Sequence, residues 1–80
     1  MNDYVIVRTV IGETEFYGPV FGAFYAPDWT SHVVNAQTYS NKRVALADAK
    51  ALKHPGLRVV QVGRFGGVPN RVIRTVYTLE

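Results

Sequence analysis

The chain has 80 residues, no cysteine and a formal net charge of +3, which limits it to one small domain whose core buries only about 60% of the unfolded surface. Without cysteine there is neither a disulfide framework nor a thiolate metal site, so the fold must rest on packing and fits a reducing cytoplasm. The apolar share of 48% and charged share of 19% suit a folded chain; no apolar run approaches the roughly 18–20 residues of a membrane span and Met1-Asn2-Asp3-Tyr4 is not a basic leader, so a soluble, cytoplasmic protein with no membrane partner is expected.

Thirteen valines and three isoleucines stand against four leucines. β-Branched residues favour pleated surfaces over helices, so the chain reads as mostly β with one helix. Tyr4 to Ile11 is the first strand, stopped by Gly12. Its early run is apolar on both faces, which predicts a central position with the helix on one side and an aromatic layer on the other. Gly12-Glu13-Thr14-Glu15 reads as a turn, and Phe16-Tyr17 begins a second strand.

Between Gly18 and Trp29, glycine and proline punctuate the apolar residues and allow only an edge or irregular strand. Six of the ten aromatics lie between Phe16 and Trp29. They either close the open face of a small sheet or, with Phe21, Phe24, Tyr25 and Trp29 as anchors, form a partly exposed patch for a partner. Trp29 to Tyr39 then reads as another strand leading into the helix.

The helix lies between Ser40, as N-cap, and the stop Pro55-Gly56. Ala45, Ala49 and Leu52 form one stripe, flanked by Val44, which should face the core and allow close approach to a sheet. Lys42, Arg43, Lys50 and Lys53 project from another arc, with Leu46 among them and Asp48 elsewhere. Like charges at this spacing repel by about 0.2–0.5 kcal/mol a pair, and cations are disfavoured at a helix start, so helix stability alone does not select the arrangement. It is either a solvated face or an anion-facing surface.

Leu57 to Phe65 is a strand, Gly66 to Asn70 a turn and Arg71 to Leu79 a strand, together a hairpin. The order β-β-β-α-β-β predicts an α+β fold, a small antiparallel sheet of four to five strands with the helix packed on one face. Residues 1–41 carry a charge of −3 and residues 42–80 a charge of +6. The helix and last hairpin thus make a basic half whose partners would be nucleic acid or an acidic protein surface.

Signs of chemistry are sparse. His32 and His54 have no second ligand at metal spacing, and Ser31 and His32, with Asp28 nearby, are neighbours on one strand that point to opposite faces, so they cannot form a triad. Glu13 and Glu15 sit at a turn without apolar surroundings to separate their pKa values. No catalytic residue, metal or cofactor is assigned. Gly63-Arg64-Phe65-Gly66-Gly67-Val68 shares the basic, glycine and aromatic mixture of the RRM sheet motif but lacks its second aromatic and its two-helix order. A nucleic-acid reading rests on Arg64 and Phe65 with Arg71 and Arg74.

The Tyr-Val-Ile-Val opening strand, the glycine and aromatic middle, and Tyr39-Ser40 before an Ala-rich helix and a Val-rich closing strand resemble short orphan proteins encoded by bacteriophages. Anti-CRISPR proteins and small inhibitors of host polymerases are of that type. The resemblance implies a non-enzymatic inhibitor that occupies a surface on a bacterial protein or nucleoprotein complex. The alternatives are a single-stranded nucleic-acid-binding module and a structural subunit that forms a homodimer or larger homo-oligomer through an exposed strand edge.

Overall fold

The run Tyr4-Val5-Ile6-Val7 sets the architecture, because successive side chains of a strand point to opposite faces and here both faces are apolar. In the computed structural model, which describes residues 3–18 and 28–79, this run lies in β1 (Asp3–Val10). Next come β2 (Glu13–Gly18), β3 (Asp28–Thr30), a 3-10 turn (Val33–Asn35), α1 (Lys42–Ala51), β4 (Arg58–Phe65) and β5 (Val68–Thr78). They form one antiparallel five-stranded sheet, ordered β3-β2-β1-β4-β5, with one helix. The α+β architecture is the expected one, and β1 occupies its centre.

Each face of β1 seeds a separate core. Val5 and Val7 are buried with Phe16, Ala36, Val60 and Val62, and Val33 packs against them. Ile6 is buried on the other face with Ala45 and Ala49 of α1, Leu57 and Val59. The small alanines let the helix backbone come close to the sheet. Tyr4, Tyr17, Trp29, Tyr39 and Tyr77 pack around this second core. Of the aromatic layer expected on the face opposite the helix, Phe16 is there, whereas Tyr17 and Trp29 pack beside the helix, whose small alanines leave gaps that large side chains fill, and Phe21, Phe24 and Tyr25 lie outside the described residues.

The strand expected over Trp29 to Tyr39 is not formed. Of this span only Trp29 and Thr30 belong to a strand, β3, which pairs with Phe16 opposite Thr30 and Gly18 opposite Asp28. The Thr30 hydroxyl accepts from His32 N–H at 3.1 Å, a local bond that competes with a ladder. The 3-10 turn follows, and Ala36 joins the face opposite the helix. β1 and β2 pair from Val7 and Phe16 to Val10 and Glu13. Beyond that, Gln37 N–H donates to Tyr17 O, and Tyr4 and Tyr39 exchange two backbone bonds, all at 2.8 Å. Residues 37–39 thus take the positions β1 and β2 leave open, carrying the chain from one face to the other.

α1 starts one residue later than its sequence suggests. Asn41, not Ser40, is the N-cap, its Oδ1 accepting from Arg43 N–H at 2.7 Å. Its end also precedes Pro55-Gly56, because Leu52 caps it and Lys53 turns left-handed at φ 54°. Val44, expected to flank the core stripe, is 51% exposed. Burial and then a hydrogen bond with Asp48 push the Tyr39 hydroxyl well above the usual tyrosine range.

Both hairpins are tighter than expected. Ile11-Gly12 (φ 51°, 80°) and Gly66-Gly67 (φ 63°, 82°) are two-residue turns with positive φ throughout. That backbone suits the twist of hairpins, so β2 begins at Glu13 and β5 at Val68. Pro69 falls inside β5, which tolerates it as an edge strand with three register irregularities against β4. Ile11 pays for its turn: a β-branched residue there costs about 1–2 kcal/mol, and it recovers nothing by packing, being 98% exposed.

Two predictions concern this scaffold. Ile11→Asn should raise stability by about 1 kcal/mol, read as a Tm increase of roughly 4–8 °C; an unchanged Tm would mean that the left-handed turn is not strained. A hydroxyl with a raised folded-state pKa contributes stability that is fully present below the unfolded pKa and is lost above it. The urea midpoint should therefore fall as pH rises above about 10, and fall less in Tyr39→Phe.

Candidate functional site on the last hairpin

Odd-numbered residues of β4 face the helix, as buried Val59 shows, and Gln61, Gly63 and Phe65 continue that face. Phe65 is 77% exposed. A Cβ on Gly63 would lie 3.6 Å from Ile73 Cδ1 and 3.7 Å from Arg71 Nε, so these two side chains lie across the glycine. Arg74 Nε donates to Gln61 Oε1 at 2.9 Å. Val68, Val72 and Ile73 are also exposed. Gly63, Arg64, Phe65, Asn70 and Arg71 line a concavity of about 310 Å³. The Arg71 side chain is exposed, and its guanidinium makes no hydrogen bond or ion pair with a described residue.

Arg64, expected beside Phe65 as a partner contact, is engaged internally. Its Nε donates to Oδ2 of Asp3. Its Nη1 donates to Gly67 O at 3.2 Å and its Nη2 to Thr38 Oγ1 at 3.3 Å. Asp3 is only 4% exposed. One guanidinium thus satisfies a buried carboxylate and ties the hairpin to β1 and to the segment that crosses the sheet.

The basic residues of the helix do not form one surface with the hairpin. Lys42, Arg43, Lys50 and Lys53 are all exposed. α1 begins just after Tyr39, which pairs with Tyr4, and Tyr4 lies opposite Gln61, so Lys42 and Arg43 lie toward the end from which the hairpin projects. Lys50 and Lys53 are at the other end, where they line a concavity of about 380 Å³ with Ala49, His54, Pro55 and Leu79.

Trp29 packs against the sheet. Arg8 Cζ stands 4.3 Å from its ring centroid, Tyr17 meets it edge-on at 5.7 Å and His54 lies 6.0 Å away. Arg8 also pairs with Glu15 at 2.8 Å, so Glu15 serves an ion pair on the sheet surface. Phe21, Phe24 and Tyr25, the other expected anchors, lie outside the described residues. Among the described residues no three His, Asp or Glu side chains cluster as metal ligands, and no helix is long and apolar enough to cross a membrane.

Sequence reasoning missed Asp3 and Ile11. Asp3 sits at the chain start with no nearby cation in sequence. Ile11 reads as the end of a strand because Ile-Gly lacks the Asn-Gly or Asp-Gly signature of a left-handed turn. Arg64→Ala should lower stability by about 2 kcal/mol, since it leaves the Asp3 carboxylate buried without its partner. Arg71→Ala should change it by less than about 0.5 kcal/mol. Denaturant midpoints of the two variants check this; equal losses would deny Arg64 its internal role. No family model matches the chain, and neither a curated protein nor a solved structure matches it.

Proposed function

We propose that this chain is a non-enzymatic binding protein, a phage-type inhibitor that blocks a bacterial host protein or nucleoprotein complex, of defence or transcription, by occupying its surface. The observation that carries this reading is the β4–β5 hairpin, where the exposed Phe65 ring and the Ile73 side chain lie beside an Arg71 with no ion-pair partner among the described residues. An aromatic anchor with aliphatic neighbours and a guanidinium is the composition of an interface hot spot. Arg71 and Arg74, with Lys42 and Arg43 toward the same end, would steer association toward an acidic surface and set its orientation. The Arg64 contacts hold the hairpin in place, so binding would lose little to its ordering.

A second reading, a single-stranded nucleic-acid-binding module, draws on the same Phe65 ring beside a concavity containing Arg71 and Asn70. It leaves exposed Val68 and Ile73 without a role, whereas a protein partner on the Phe65 face would bury them. A homo-oligomer formed through the β5 edge is the least supported. Pro69, the register irregularities and Arg71 with Arg74 are the devices that keep an edge from pairing with its own copy.

The test is capture from bacterial lysate with and without nuclease, using the wild type, a Phe65→Ala/Arg71→Glu variant and a Lys50→Glu/Lys53→Glu variant. One nuclease-resistant partner should be retained by the wild type and by the lysine variant. The hairpin variant should lose it at unchanged Tm. Recovery of only mixed, nuclease-sensitive partners would sink the inhibitor reading in favour of nucleic acid.

A further inference from the structure

The β1–β2 turn places Ile11 at the tip of a hairpin, 98% exposed and at φ 51°. Folding does not select an isoleucine there, because glycine or asparagine takes this backbone with less strain and nothing packs on the side chain. Beside the tip, Val10 is 38% exposed, and Glu13 is exposed with no ion pair to a described residue. Alternation from Ile6 puts Val10 on the helix face of the sheet, and Glu13, opposite Val10, shares that face.

The second concavity lies at the same end and on the same face. β1 runs antiparallel to β4, so the Ile11 turn lies toward the start of β4, where the chain arrives from the C-terminus of α1. Ala49, Pro55 and Leu79 give this concavity, of about 380 Å³, an apolar lining, and Lys50, Lys53 and His54 give it a polar rim. Lys53 is the other non-glycine residue described with positive φ, in the position after a helix where glycine is usual.

We propose that a second copy of the chain docks here, Ile11 of each copy entering the concavity of the other. Glu13 then faces the ammonium groups of Lys50 and Lys53 in the partner. The charges decide the occupant: the tip bears a carboxylate and the concavity two lysines, so the molecule carries both halves of a complementary contact. Because both halves lie at one end, a two-fold axis satisfies the two contacts together and closes the dimer. Each contact brings one hairpin tip to one shallow concavity, so the dimer is weak and forms at high concentration. This inference does not depend on the hairpin function, which uses the opposite end of the sheet.

Sedimentation equilibrium from roughly 20 µM to 1 mM tests it, a range chosen for a weak, small interface. The wild type should approach a dimer at the top of the range. Ile11→Asn should weaken association at least about tenfold, the loss expected for removing one buried aliphatic anchor, without lowering Tm. Glu13→Lys should weaken it as well, and Glu13→Lys combined with Lys53→Glu should restore it. A wild type that stays monomeric at 1 mM overturns the proposal. So does a dimer indifferent to Ile11→Asn, or one that the charge exchange fails to restore.

Discussion

The structure depends on one constraint: β1 is apolar on both faces, and the described residues hold one α-helix with which to cover them. The helix covers the Ile6 face through Ala45 and Ala49. On the Val5 and Val7 face, Ala36 and Val33 of the segment after β3 pack against the sheet. To reach the helix from there the chain must change faces. It does so through the gap where β1 and β2 stop pairing, and the bonds of Gln37 and Tyr39 replace the missing ladder. Backbone groups are thereby satisfied where β1 and β2 part.

The same crossing fixes the hairpin. Thr38 accepts from Arg64, which also holds Asp3 and the Gly66-Gly67 turn, so the start of β1, the crossing segment and the β4–β5 hairpin meet at one guanidinium. β5 is long and lies at the sheet edge, and the helix covers only the part of β4 near Leu57 and Val59. What extends beyond it is the surface bearing Phe65, Arg71, Ile73 and Arg74. The hairpin is exposed because one helix of ten residues cannot cover strands of eight and eleven residues along their length.

Much of this fold was legible in the sequence, for local reasons. β1, β4 and β5 announce themselves by runs of β-branched residues, and the alanine stripe of α1 by its period. Ser40 and Asn41 are both good caps, and only the geometry of the chain leaving Tyr39 chooses between them. The reading of Trp29 to Tyr39 as a strand failed because a run with β propensity was needed elsewhere, as cover and crossing, which is a tertiary demand. The basic half was legible as charge but not as shape: helix direction separates Lys42 and Arg43 from Lys50 and Lys53. Arg64 looked like its neighbour Arg71, and only the buried Asp3, 61 residues away, distinguishes them.

Amide hydrogen exchange of residues 36–40 tests the central claim, that this segment is an integral part of the sheet, most directly. Protection follows the opening of the unit to which an amide belongs. Gln37 and Tyr39, bonded to β2 and β1, should be protected to the level of Ile6 in the middle of β1. If both exchange as fast as an exposed loop, the crossing segment is a surface connection, and the account of how one helix suffices for two apolar faces is wrong.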